Sequence, residues 1–350
     1  MQKERKVGLD VLKSFAILFV VSVHFFLNTQ FYETPILGGG MYLQVCLQAI
    51  FMSCIPLFLL ISGYVGTKVD ISWSYFKKIL NIIAIYFLYS LLAVIYKKFH
   101  MQEVESLKQW VIDILTFKAN SYSWYVNMYI GLFLISPFLN ILFNNLKNKR
   151  ERQVLVAVLL FISAVPDFLN GRFISVMQFP TYWVDFYPVG FYFLGSYIRE
   201  YKPKLKKGYN IILFLLVLAF ETFFEVYAAK GSLYVAYMGT FGSLIRLILA
   251  VLIFMFFYEI QVKNRFIKGF VTLVSLLSLD IYLASYVTDK VVYGLVNKYI
   301  YTTQDKIVFW IVPIVLTSFL LAFVIAFIRS KVFRARGTKM KLVGNKSIPS

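Results

Sequence analysis

The chain has 350 residues, 60% hydrophobic and 15% charged, with a formal net charge of +19. Soluble domains carry about 45–50% apolar and about 25% charged residues, so an ordinary water-soluble domain is excluded. The basic residues lie between long hydrophobic runs, where they set membrane topology, and nucleic-acid binding is set aside on that ground. Cys46 and Cys54 are the only cysteines, and His24 and His100 the only histidines. A disulfide framework is therefore ruled out, and no spacing supports a metal or haem site.

The composition reads as an all-α polytopic bundle of about ten membrane helices. Apolar stretches fall at about 9–28, 45–66, 75–96, 124–143, 153–168, 183–199, 209–228, 240–259, 269–288 and 307–328. The fifth and sixth are the weakest, being short and interrupted by Pro166 or Pro188. Lys3-Glu4-Arg5-Lys6 ahead of the first stretch imitates a signal peptide, but no small-residue cleavage site follows, and a retained first helix is expected. With the N-terminus placed in the cytoplasm, the inner segments carry 25 Lys and Arg and the outer segments nine. That bias is the positive-inside pattern, and it holds only for an even number of crossings with both termini inside.

Two connections carry more than linker sequence. Residues 97–123 contain Leu107, Trp110, Val111, Ile114 and Leu115, a helical spacing that predicts a short interfacial helix. Residues 169–182, with Arg172 and Pro180, form a second outer loop. The tail after Arg329 is basic and poor in apolar residues, so a flexible segment held against anionic lipid is expected.

The first hydrophobic segment holds the most chemistry. It carries Asp10, Lys13 and His24. At 100° per residue, His24 returns to within about 20° of Lys13, and Asp10 lies about 60° away. The rise from Lys13 to His24 is roughly 16 Å, about half the hydrocarbon thickness. Polar groups sharing one face of a membrane helix point to a protein interior or a wet cavity. His24 reads either as a general base or proton carrier, or as a hydrogen-bonding residue between helices. Lys13 reads as a partner for an anionic ligand or as a snorkelling residue, and Asp10 as its partner or a helix cap.

Further polar candidates lie along the chain. Glu221 and Glu225 share a face of the seventh stretch, and Arg246 enters the eighth at similar depth, which predicts an intramembrane Glu–Arg pair, read first as glue between two helices and otherwise as part of a site. Asp280 and Asp167 carry lower weight. Trp124 and Tyr125 open the fourth stretch, either as interfacial belt residues or as a platform for a sugar ring.

Several motifs together resemble the membrane acyltransferase-3 family. Asp10-Val11-Leu12-Lys13 followed by His24 matches its Asp-x-x, basic residue, ten residues, histidine spacing. Pro56 to Tyr64, ending Ile61-Ser62-Gly63-Tyr64, is similar to a second-helix element. Ser123-Trp124-Tyr125 with Pro137-Phe138-Leu139, and Phe193-Leu194-Gly195-Ser196-Tyr197, follow in the family's order. There are two departures. Lys13 stands where the family has arginine, and Ser285 follows Ile281-Tyr282-Leu283-Ala284 where a histidine is common. The resemblance implies a transmembrane domain over residues 1–328 with a basic cytoplasmic tail over 329–350, in the cell membrane of a bacterium.

It also implies transfer of an acyl group, most often acetyl, from cytoplasmic acyl-CoA to a hydroxyl of a cell-surface or lipid-linked polysaccharide. No resident cofactor is implied; acetyl-CoA is the donor substrate. His24 is then the catalytic candidate. Lys13, Asp10, Trp124, Tyr125, Glu221, Glu225 and Arg246 are candidates for donor or substrate binding. Two other readings stand beside it: an exporter of a polysaccharide or lipid-linked intermediate, disfavoured by the lack of repeated halves, and a membrane anchor for a biosynthetic complex.

Overall fold

The computed structural model describes residues 6–169 and 181–344, with side chains described to residue 332. Among these residues every regular element is helical. Long apolar runs leave the backbone no other way to satisfy its own N–H and C=O groups in lipid. The outer-loop residues 170–180, with Arg172 and Pro180, lie outside the described residues.

The helices are α1 (Val7–Asn28), α2 (Gly39–Phe51), α3 (Cys54–Gly66), α4 (Trp73–Phe76), α5 (Lys78–His100), α6 (Leu107–Leu115), α7 (Trp124–Asn145) and α8 (Lys149–Leu169). They continue with α9 (Tyr187–Tyr201), α10 (Lys207–Ala229), α11 (Leu244–Phe257), α12 (Arg265–Leu276), α13 (Ser278–Tyr299), α14 (Gln304–Ile307) and α15 (Ile311–Gly344). Helix α1 is the hub, packed against α2, α3, α11, α12, α13 and α15. Its apolar side chains Leu12, Ala16, Ile17, Val21, Phe25 and Phe26 are sealed from solvent. α6 is the expected short helix; Ser106 caps it, and Trp110 turns into the protein.

Seven stretches are long and apolar enough to cross a bilayer, and an eighth is added if the bent pair α12–α13 is one span. The two remaining expected crossings, 183–199 and 240–259, correspond to α9 and α11, of 15 and 14 residues. Pro188 does not interrupt α9; it sits in the first turn, where its missing N–H costs nothing. Residues 240–243 belong to an inward-folded loop, and α11 begins only after Ser243 accepts from the Arg246 backbone. The expected ninth stretch, 269–288, runs across a 73° bend, because its hydropathy spans two helices that meet at Leu277. α12 lies across the start of α13, presenting Phe266, Ile267 and Phe270 outward.

α1 and α15 run antiparallel. Near the end of α1, His24 meets Asp289, which meets Ser318 early in α15. At the other end, Asp10 receives the Thr272 hydroxyl at 3.1 Å, and Arg329, late in α15, pairs with Asp280. The first and last helices therefore start and finish on the same side of the bundle. Helix α15 continues through Gly344, over residues where a flexible tail is expected from sequence.

Two motif glycines have a packing reason. A Cβ on Gly63 would lie 1.8 Å from the Tyr192 carbonyl, and one on Gly195 would lie 2.1 Å from the Leu60 carbonyl. Helices α3 and α9 thus touch backbone to backbone, and Ser196 adds a hydroxyl bond to the Gly63 carbonyl at 3.2 Å. Gly63→Val should force the two helices apart and cost about 3 kcal/mol. Thermal melting in detergent checks this; a wild-type transition would refute the contact.

Candidate active site

The His24 imidazole is buried between α1 and α13. Its Nδ1 lies 2.9 Å from Asp289 Oδ2, with the carboxylate fully inaccessible. The second carboxylate oxygen accepts from Ser318 Oγ, whose oxygen lies 3.1 Å from Thr288 Oγ1. A carboxylate on Nδ1 favours the tautomer with the proton there and leaves Nε2 as an acceptor. Tyr122 stacks on the imidazole, its ring 3.7 Å from it, and Asn28 donates both to the His24 carbonyl and to the Tyr122 hydroxyl. The ring is thus covered by Tyr122 on one face and pinned at one nitrogen. That is how a general base is oriented.

Asp289 is absent from the residues that sequence reasoning singled out. The expected ninth stretch closed at 288, one residue short of it. It lies one helical turn beyond Ser285, on the same face of α13, and that spacing within an apolar segment was the available signal. Ser285, the departure from the family pattern, is also at the site, its Oγ 3.3 Å from His24 Nδ1.

Two cavities lie along α1, and His24 lines one of them. One, about 440 Å³, is lined by His24, Asn28, Tyr122, Trp124, Phe241 and Lys290 among others. The other, about 400 Å³, lies toward Lys13 and is lined by Lys13, Lys78, Ser62, Gly66, Tyr125 and Tyr192 among others. Neither lining includes an Asp or Glu among the described residues. Val20, Ile55 and Tyr282 line both and form the partition between them. More basic groups sit near the Lys13 cavity: Lys6 donates to the Tyr64 hydroxyl at 2.7 Å, and Arg199 to the Tyr64 carbonyl at 2.6 Å.

The structure separates the other sequence candidates into two groups. Lys13 and Tyr125 line one cavity, and His24 and Trp124 the other, with Trp124 42% exposed. Asp10 is buried against α12 and lines neither. Glu221, Glu225 and Arg246 also line neither. Arg246 and Glu221 do form the expected ion pair, both fully buried, and the guanidinium also donates to Gln48 Oε1 and Tyr234 Oη at 3.1 Å. Glu225 accepts the backbone N–H groups of Tyr237 and Met238 at 2.9 and 2.8 Å, tying down the loop before α11. Asp280 is held by Arg329 and by the Tyr89 hydroxyl at 3.1 Å, and Asp167 by Thr240. Among the described residues, no group of three or more His, Cys, Asp or Glu is placed to hold a metal.

An all-helical bundle of membrane-length apolar helices, with a carboxylate-paired histidine lining one of two neighbouring cavities, defines the class: a polytopic membrane protein. A family model described as an acyltransferase domain, acyltransferase-3, matches residues 6–329, and the chain belongs to that family. No curated protein and no solved structure matches the chain. Family membership makes it a membrane acyltransferase with an acyl donor and an acceptor.

Proposed function

We propose that the chain is a membrane O-acyltransferase that takes an acyl group, acetyl in the simplest case, from cytoplasmic acyl-CoA. The acceptor is a hydroxyl of a cell-surface or lipid-linked polysaccharide, in a bacterial cell membrane. One observation carries this reading: His24, paired with Asp289, lines one cavity, and a second cavity lined by Lys13 and Lys78 shares Val20, Ile55 and Tyr282 with it. The charge bias along the sequence puts the Lys13 cavity on the cytoplasmic side and the His24 cavity on the outer side.

In this reading the phosphates of the donor dock near Lys13 and Lys78, where no carboxylate in the lining opposes them. The thioester reaches inward toward the partition. An acceptor hydroxyl enters from the other side, over Trp124, whose ring suits the apolar face of a sugar. His24 Nε2 takes the hydroxyl proton as the oxygen attacks the thioester carbon. The C–O bond forms, the C–S bond breaks, and the CoA thiolate leaves and takes up the proton from the imidazolium. Asp289 stabilises that imidazolium while it exists. Trp124 and Tyr125, adjacent in sequence, face different cavities and so serve acceptor and donor respectively.

The test is transfer of label from radioactive acetyl-CoA, in membranes containing the protein, into alkali-labile ester of the polysaccharide fraction. Lys13→Ala should raise KM for acetyl-CoA about tenfold or more, the worth of one charge-assisted contact, with kcat less affected. Lys13→Arg should restore it. No label above protein-free membranes would end the proposal. An unchanged KM in Lys13→Ala would remove Lys13 from the donor site.

A further inference from the structure

Tyr282 sits at the partition. It is one turn before Ser285 on α13, and its carbonyl accepts the Ser285 hydroxyl at 2.7 Å. Only 7% of its surface is exposed, yet its hydroxyl has no hydrogen-bond partner among the described residues. The polar group facing it is the backbone N–H of Tyr125, in the first turn of α7, which can donate toward the phenol oxygen but offers no acceptor for its proton, and the Tyr125 ring stands edge-on at 6.1 Å. Leaving the O–H of a buried phenol without an acceptor costs about 1–3 kcal/mol, and phenylalanine would fill the same space without that cost. Packing therefore explains the ring, and the Tyr125 N–H can use the oxygen, but the hydroxyl proton is left unexplained.

The position of the hydroxyl supplies a reason. Tyr282, with Val20 and Ile55, is shared by both cavities, and His24 lines only one of them. A donor arriving through the Lys13 cavity can meet an acceptor activated by His24 only across this partition. The reacting carbonyl must therefore lie beside Tyr282.

The geometry points to Tyr282 as a catalytic hydrogen-bond donor to the acyl carbonyl oxygen, polarising the thioester and stabilising the oxyanion when the acceptor hydroxyl attacks. This rests on the acyl-transfer reading above. Oxygen bonds to carbon, sulfur leaves, and the hydroxyl proton passes through His24 to the thiolate. The Tyr282 proton stays on its oxygen throughout. A donor that meets charge only as it develops acts on kcat more than on donor binding.

The experiment compares Tyr282→Phe with wild type in the same labelled acetyl-CoA assay, with thermal melting in detergent alongside. We expect kcat lower by about 100-fold, KM for acetyl-CoA within about twofold, and a melting temperature equal to or above wild type. Tyr282→Trp, which offers an N–H in the partition, is a second variant, and measurable transfer above Tyr282→Phe is expected from it. Wild-type kcat in Tyr282→Phe would overturn the inference while leaving the acyltransferase reading intact. So would a fall in kcat matched by a fall in melting temperature, because the hydroxyl would then be structural. Absence of transfer by the wild-type protein would instead overturn the acyltransferase reading, and the inference with it.

Discussion

His24→Gln should lower acyl transfer by about 10²–10⁴-fold, the usual worth of a positioned general base. Glutamine retains an amide to meet Asp289 and much of the side-chain volume beside Tyr122, but has no basic nitrogen. The comparison therefore separates base chemistry from packing better than alanine would. Asp289→Asn should also lose about 10²-fold in kcat with little change in KM for acetyl-CoA. Its carboxamide can still accept from Ser318, but it no longer stabilises the imidazolium and can present an N–H to Nδ1, favouring the wrong tautomer. Initial-rate measurements at varied acetyl-CoA check both variants. Full activity in His24→Gln would remove the base. A normal kcat with raised KM in Asp289→Asn would move Asp289 from chemistry to binding. Melting curves for both variants should remain within a few degrees of wild type.

The parts of this site that one helix can reveal were legible in the sequence. Lys13 and His24 are separated by three helical turns, and each lines a cavity, the two cavities sharing Val20 of the same helix. Asp10, expected near their face, accepts from Thr272 on α12 and lines neither cavity. A face defined by angle alone does not say which neighbour each depth will meet. Asp289 escaped because its partner is 265 residues away and because a hydropathy window does not register a 73° bend. Arg329 was assigned to the tail, but its guanidinium reaches back to Asp280, a pairing that follows from helix packing rather than composition. The Glu221–Arg246 pair was foreseen because two charges at equal depth in lipid have few alternatives. The glycines of the Ser62-Gly63-Tyr64 and Leu194-Gly195-Ser196 elements could be matched as motif letters, but their purpose, a backbone contact between α3 and α9, required the structure.

The second large effect concerns the buried pair rather than the reaction. Arg246→Met should destabilise the protein by about 3–5 kcal/mol, since Glu221 would remain in a dry interior with no counter-charge. Glu225 lies one turn away on the same face of α10 and would add like-charge repulsion. Gln48 and Tyr234 would each lose the guanidinium contact that links α2 and the 230–243 loop to α11. Glu221→Met should cost a similar amount by stranding the guanidinium. The double variant, Arg246→Met with Glu221→Met, should recover most of the loss, because replacing both charges by apolar groups removes the desolvation cost as well as the attraction. Neither residue lines a cavity, so the double variant should retain acyl transfer with KM for acetyl-CoA near wild type. Thermal melting and the labelled transfer assay on all three variants decide the matter. If Arg246→Met melts like wild type but binds donor or acceptor weakly, the pair belongs to substrate binding. If the single variants melt low and the double variant melts high and stays active, the pair holds the outer half of the bundle together and leaves the chemistry to His24.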